Sequence, residues 1–485
     1  MNFNSLLYIA FLAGNVLIYY LLPQRLRNLQ LLLASYFFYA CWNVRYTLLL
    51  LLSTAVTYAG ALMTERALFG RRRLWVALGF GVNLAILFFF KYFNFLSSLA
   101  AGLLAAAGLE ISAPVLNVLL PVGISFYTFQ ALGYTVDVYR GDVPAEKNFI
   151  HYALFVSFFP QLVAGPIERS GRMLSQIKKP HLFRWENIRF GVLAVLWGLF
   201  KKVVLADNLA AVVNAVYAAP RAHTGLELLV ATAAFAMQIY CDFSGYCHIA
   251  RGSARMLGFE LMENFRCPYL AESIPDFWRR WHISLSTWFR DYLYFPLGGS
   301  RCSLGRQVLN LLVVFAVSGL WHGAALTFLA WGLLHGLYQV LSVLTKPLRS
   351  CLAELFHIRE GNVPVRVFRV IWTFFLVCMA WVLFRAETLS DALWIFRQIF
   401  SIPIHGLSGG LAGLEVSASA AGLLAAFIPA LFVLDWLQCS RALPEKILRR
   451  PAARYGAYFA LIVCILLFGS YGVGYNPQDF VYFQF

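Results

Sequence analysis

The chain has 485 residues, 60% of them hydrophobic and 13% charged, where a soluble domain carries roughly a quarter charged. That composition excludes an ordinary soluble globular protein and implies a polytopic membrane protein. The net charge is +16, but the basic residues sit in short loops between apolar runs. Positive-inside bias and anionic headgroups account for them there, with no nucleic-acid partner.

In chain order, Leu6–Leu22, Leu29–Cys41, Tyr46–Met63 and Leu74–Phe90 read as the first spans. The opening MNFNSLLYIA lacks a basic segment, so the first run is expected to be retained rather than cleaved. Arg66, Arg71, Arg72 and Arg73 mark a cytoplasmic loop, and Lys91 with Tyr92 is expected at an interface. Val115–Val138 contains Pro121 and Gly123, which predicts a kinked or broken span. Phe149–Leu162 is short and is followed by a basic segment, so it reads as re-entrant. Gly191–Leu205 and Leu226–Tyr240 follow as spans.

From Cys241 through the first of two Trp-His pairs no clean span is expected. That stretch is rich in arginine and aromatics and is placed on the cytoplasmic face. A pair of spans within Val308–Leu344 comes next, then Val367–Phe384, Val416–Trp436 and Tyr455–Phe468. The expectation is an all-α protein of about twelve spans with both termini extracytoplasmic. It forms a single domain over 1–485, with a catalytic core over about 115–345 and an aromatic tail over 473–485. The nine cysteines are scattered with no C-x-x-C pair, so neither a metal site nor a disulfide framework is implied.

Two Trp-His pairs carry the functional reading, Trp281-His282 and Trp321-His322. His322 interrupts an apolar run, where an imidazole is costly unless it is satisfied. From position alone it fits either a core histidine bonded to a helix carbonyl or a functional group. Gly319 and Gly323 beside it allow close approach of backbone or ligand. His282 fits either an interfacial amphipathic helix or a second functional position. His335 lies thirteen residues after His322. On one continuous helix, at roughly 100° per residue, that puts it off the His322 face, and it reads as structural. Arg279, Arg280, Arg290 and Asp291 read as an interfacial charge network or as a phosphate-holding cluster. There is no Gly-x-Ser-x-Gly elbow, His-Glu-x-x-His or Walker loop.

FWRRWHISLSTWFRDYLYFPLGG over 277–299, followed by GLWHGA over 319–324, resembles the membrane-bound O-acyltransferase family, in its bacterial alginate O-acetylase branch. AGPIERS, CDFSGY, MENFRCPY and the aromatic end extend the resemblance over nearly the whole chain. CDFSGYCHIA departs from it at Cys247 and His248, where Ser-Asp is the family's favoured pair.

The resemblance implies a ring of about 11–12 transmembrane helices, with re-entrant segments around a central funnel. It places the active-site histidine on His322, as general base, and a second position on His282. It implies acetyl-CoA as cytoplasmic donor, whose phosphates Arg279, Arg280 and Arg290 are suited to hold by their own chemistry. The implied acceptor is an exported polysaccharide (alginate, peptidoglycan or cellulose), served by an extracytoplasmic SGNH-type partner. The location implied is the bacterial inner membrane. Tyr482 in the aromatic tail resembles the tyrosine-bearing tail of a partner in the related D-alanyl-lipoteichoic-acid system, and is expected to carry the acetyl as a phenyl ester. A transporter for a small solute or lipid headgroup is the rival reading, against which stands the lack of an obvious inverted repeat.

Overall fold

The computed structural model describes residues 1, 3–163, 165–357, 361–402, 412–414, 418–439, 447–471 and 480. Among them every regular element is helical. The chain divides into two compact units, Met1–Val195 with Tyr246–Met262, and Leu196–Gly245 with Glu263–Phe485.

The first unit holds α1 (Leu6–Leu21), α2 (Gln24–Ala40), α3 (Val44–Arg66), α4 (Phe69–Leu87), α5 (Phe93–Ala106), α6 (Ile124–Arg140), α7 (Phe149–Ser157), α8 (Phe159–Leu162) and α9 (Ser170–Ile177). It also holds most of α10 (Trp185–Leu199). Side-chain oxygens start three of these helices: Ser5 accepts from the Tyr8 amide, Asn43 from the Arg45 amide and Asn148 from the Ile150 amide. A π-helical turn over Phe88–Tyr92 joins α4 to α5, giving one apolar run over Gly70–Ala106. Lys91 lies within that helical run, at its π-helical turn.

The span expected over Val115–Val138 is helical only from Ile124. Pro121 lacks a donor, and Gly123 turns left-handed at φ 75°. A Cβ on Gly123 would stand 2.6 Å from the Leu162 carbonyl oxygen, so the turn also needs that glycine for close approach. The short Phe149–Leu162 run is broken at Phe158 and buried from Tyr152 to Leu162. The side-chain amides of Gln130 and Gln161 both donate to the Phe155 carbonyl near the break. Non-helical backbone at membrane depth requires such partners.

The second unit holds a π-helical turn over Phe200–Ala206, α11 (Asp207–Ala218) and most of α12 (Gly225–Met256). Next come α13 (Ile274–Arg280), α14 (Ile283–Phe289), α15 (Leu304–His322), α16 (Leu326–Leu344), α17 (Lys346–Leu355) and α18 (Val363–Arg385). It closes with α19 (Leu389–Phe400), α20 (Ala418–Cys439) and α21 (Pro451–Phe468). At 32 residues, α12 continues through Cys241–Met256, where no clean span was expected. Gly245 lets it pack closely: a Cβ there would lie 2.9 Å from the Gly198 carbonyl oxygen.

Among the described residues seven helices are long and apolar enough to cross a membrane, and Leu6–Leu21 and Leu424–Leu437 are shorter apolar helices. This is a polytopic all-α membrane protein. Among the described residues seven cysteines are free thiols, whereas Cys267 is disulfide-bonded, a pairing its sequence spacing gives no sign of.

Candidate functional site

The site is built on a glycine-packed helical hairpin in the second unit. α15 and α16 pack against one another through Gly319 and Gly332. A Cβ on Gly319 would lie 2.3 Å from the Phe328 carbonyl oxygen, and one on Gly332 2.2 Å from that of Phe315. Small residues at such an interface let membrane helices approach backbone to backbone. α15 ends on His322, and Gly323 leaves the helix in extended conformation against the Phe328 ring. His322 is therefore fixed at the tip of the hairpin, 4% exposed. Its ring stands edge-on to Trp321 (4.9 Å between centroids), Trp331 (5.0 Å) and Phe384 of α18 (5.6 Å).

His282 reaches the same place from a different part of the chain. It caps α14 with left-handed backbone, φ 44° and ψ 53°, a costly conformation for a residue with a side chain. The start of α14 is held by Asn264, whose backbone oxygen accepts from Ile283 N and whose side-chain oxygen accepts from Ser284 N. His282 is fully buried, with its ring 4.7 Å from Phe243, 6.0 Å from Trp321 and 6.4 Å from His322. Burial holds its imidazole far below the ordinary value, at about 3, so this ring is neutral.

His335 stands on a different helix from His322, because α15 stops at His322 and a new helix starts at Leu326. Trp331 stands between the two, 5.0 Å from His322 and 5.1 Å from His335. The Trp278 indole N–H donates to His335 Nδ1 at 3.2 Å, which leaves the proton of a neutral His335 on Nε2. Trp281, Trp331, Trp381 and Phe384 complete an aromatic wall around these rings.

The sequence reading passed over a buried ion cluster behind this wall. Lys202 Nζ lies 2.9 Å from Asp207 Oδ1 and 2.7 Å from Asp242 Oδ1, and all three side chains are 1% exposed. Lys201 is equally buried, over the rings of Trp197 and Tyr240 and bonded to the Ser244 hydroxyl. The Tyr240 hydroxyl donates to Asp435 at 2.6 Å. One turn of α12 thus carries Tyr240, Asp242, Phe243 and Ser244, tying the ion cluster to the ring that touches His282. The signal was present: two lysines inside the apolar run Gly191–Leu205, with an aspartate five residues later.

The candidate phosphate-holding arginines lie in local ion pairs. Arg279 and Arg280 both turn onto Asp276, at 3.5 and 2.9 Å, and Arg290 onto Asp291 at 2.8 Å. Arg279 and Arg290 are exposed. Tyr482 lies outside the described residues. Phe480, two positions before it, is buried with its ring 5.6 Å from Phe243, the residue against His282. Among the described residues no cluster of His, Cys, Asp and Glu could hold a metal ion.

Residues 38–384 match the membrane-bound O-acyltransferase family. The chain is 41% identical to the probable alginate O-acetylase AlgI of Pseudomonas putida, over 82% of this chain and 81% of that one. It is 36% identical to the peptidoglycan O-acetyltransferase of Helicobacter pylori, over 84% of this chain and 80% of that one. A more distant similarity, 28% over 46% of this chain and 58% of the other, is to the teichoic acid D-alanyltransferase of Bacillus subtilis.

Proposed function

Because the chain belongs to the membrane-bound O-acyltransferase family and is an O-acyltransferase, we propose that it passes an acetyl group from a cytoplasmic donor across the membrane, for O-acetylation of an extracytoplasmic polysaccharide. The names of the relatives point to alginate or peptidoglycan as the class of acceptor. The observation that carries the reading is the meeting of the two Trp-His pairs, with His282 and His322 buried 6.4 Å apart within one aromatic wall.

His322 acts as general base on the attacking hydroxyl, work for which an imidazole is suited. The hydroxyl oxygen forms a bond to the acetyl carbonyl carbon as its proton passes to His322. The carbon–sulfur bond of an acetyl thioester, acetyl-CoA, then breaks, and the proton leaves with the thiol. His282, neutral and rigidly capped, positions the acetyl group beside His322. Charged coenzyme A does not cross the bilayer, so the acetyl group alone is handed over.

The first acceptor is Tyr482. A phenol, with pKa near 10, is a better leaving group than a sugar hydroxyl, so its ester keeps transfer potential. The burial of Phe480 against Phe243 supports this, since two residues of extended chain span about 7 Å. An SGNH-type partner on the outer face completes transfer to the glycan, and the inner membrane is the setting. Arg279, Arg280 and Arg290, free to exchange Asp276 and Asp291 for a ligand, meet the phosphates of the donor. A transporter role would leave the acyltransferase membership without a purpose. The test is the ester content of the exported polysaccharide in cells carrying His322→Ala or Tyr482→Phe. Loss in both is expected, and full acetylation with Tyr482→Phe removes the tyrosine step.

A further inference from the structure

A cleft lies away from His282 and His322, where α16 ends and α18 begins. It has a volume of about 1010 Å³ and runs between the end of α16, α17, the start of α18 and the Glu272–Ile274 segment. We propose that this cleft binds one anionic phospholipid. Its phosphate lies among Arg349, Arg366 and Arg369, and its acyl chains lie along α18.

Charge selects the headgroup. Arg349 and Arg369 line the cleft with one carboxylate, Glu272, on which Arg366 also sits: Arg366 Nε lies 2.8 Å and Arg369 Nη1 3.9 Å from it. Arg349 has no carboxylate partner among the described residues, and donates to the carbonyl and hydroxyl of Ser342. The site is therefore net cationic by two charges. It sits at helix ends rich in arginine, the pattern of a cytoplasmic interface.

Shape selects a lipid over a soluble phosphate. Arg366 lies three residues into α18 and Arg369 six, within about 9 Å of its start at 1.5 Å per residue. Trp372 and Leu376 follow, and Leu376 is about 20 Å along the helix. The cleft is thus polar at its mouth and apolar along its length. Leu341, Leu352, Phe368 and Trp372 all line it and are exposed. A soluble ligand would leave those surfaces in water, whereas acyl chains cover them.

The cleft also bears on the site. Glu272 and Ser273 lead into α13, whose first turn Ser273 caps by accepting from Asp276 N. α13 runs directly to Trp281 and His282. Tyr338 of the cleft packs 5.9 Å from His335. A bound phosphate competes with Glu272 for Arg366 and Arg369, so lipid occupancy is read at the lead-in to His282.

The test uses purified full-length protein in detergent, with thermal unfolding followed as phosphatidylglycerol, phosphatidylcholine with the same chains, or coenzyme A is added. Phosphatidylglycerol is expected to raise the midpoint and phosphatidylcholine to leave it nearly unchanged, while any shift with coenzyme A, which the donor site binds, should persist in the arginine variants below. Arg349→Gln with Arg369→Gln should raise the half-saturating phosphatidylglycerol concentration about 30-fold, from roughly one unit charge of attraction lost per arginine. Arg349→Lys with Arg369→Lys should retain most of the effect. Glu272→Gln, which frees the arginines, should lower the half-saturating concentration. The proposal is overturned by equal responses to the two lipids, by an unchanged response in either the double glutamine variant or Glu272→Gln, or by coenzyme A reproducing a shift that the glutamine variant loses.

Discussion

Gly332→Ala tests the hairpin that holds His322. The new Cβ would lie 2.2 Å from the Phe315 carbonyl oxygen and 3.1 Å from the Gly319 backbone. Ordinary contact begins near 3.4 Å, and these are backbone atoms that cannot rotate away, so α15 and α16 must part by about 1 Å. Overpacking of this kind costs about 1–3 kcal/mol of stability. The larger effect falls on chemistry, because His322 ends α15 while Trp331 against it belongs to α16. A misplacement of about 1 Å costs on the order of 100-fold in rate. Two glycines calibrate the series. Gly336→Ala meets Phe315 Cβ at 3.2 Å and Leu312 Cδ2 at 3.3 Å, milder contacts of which the Leu312 methyl can rotate away, and should cost several-fold. Gly305→Ala meets nothing within 4 Å and should leave activity unchanged while strengthening the helix slightly. The assay is acetyl transfer in membranes, normalised to folded protein, with thermal midpoints in detergent alongside. Wild-type rate and midpoint in Gly332→Ala would refute the account of how the hairpin sets the histidine.

Lys202→Met should destabilise the protein by about 3–5 kcal/mol, because it leaves Asp207 and Asp242 buried without their cation. Adding Asp207→Asn and Asp242→Asn should recover most of the lost midpoint in detergent. Glu168, buried in the loop before α9, accepts from the Met262 amide, with Arg172, Arg251 and Glu260 nearby. Burial raises its carboxyl from 4.5 to about 7, so between those values the folded chain holds a proton the unfolded chain has released. Stability therefore falls as pH rises from 4.5 to 7, by at most about 3 kcal/mol, and is level above that window. Thermal midpoints across this range should show the slope in the wild type and lose it in Glu168→Gln. Ser273→Ala should cost about 1 kcal/mol of stability by removing the cap of α13.

The helices were legible where apolar runs met breakers. Pro121 and Gly123 announced the late start of α6, whereas the short Phe149–Leu162 run reads in sequence as re-entrant and is seen as two helices broken at Phe158. What could not be read was continuity through polar residues. Lys91 falls within an apolar run, and Cys241–Met256 stays helical. In both places neighbouring helices, rather than local propensity, decide the outcome. The two Trp-His pairs were visible as motifs, yet their meeting depends on the left-handed cap at His282 and the glycine contacts of α15 and α16. Those are tertiary facts. The wheel argument for His335 assumed one helix where the chain breaks at Gly323, so it could not locate that ring. The ion cluster of Lys202 was overlooked because its partners are distributed over α11 and α12. An apolar-run reading gives no weight to two lysines inside a span.

The central claim is that acetyl crosses the membrane at His322, and sealed vesicles of purified protein test it most directly. Labelled acetyl-CoA is confined to the face bearing Arg66 and Arg71–Arg73, and label is then sought on the opposite side, on the aromatic tail or on added polysaccharide with its partner enzyme. The account predicts label on the far side with the wild type and its loss with His322→Ala in folded protein. Far-side label that persists undiminished in His322→Ala would contradict it.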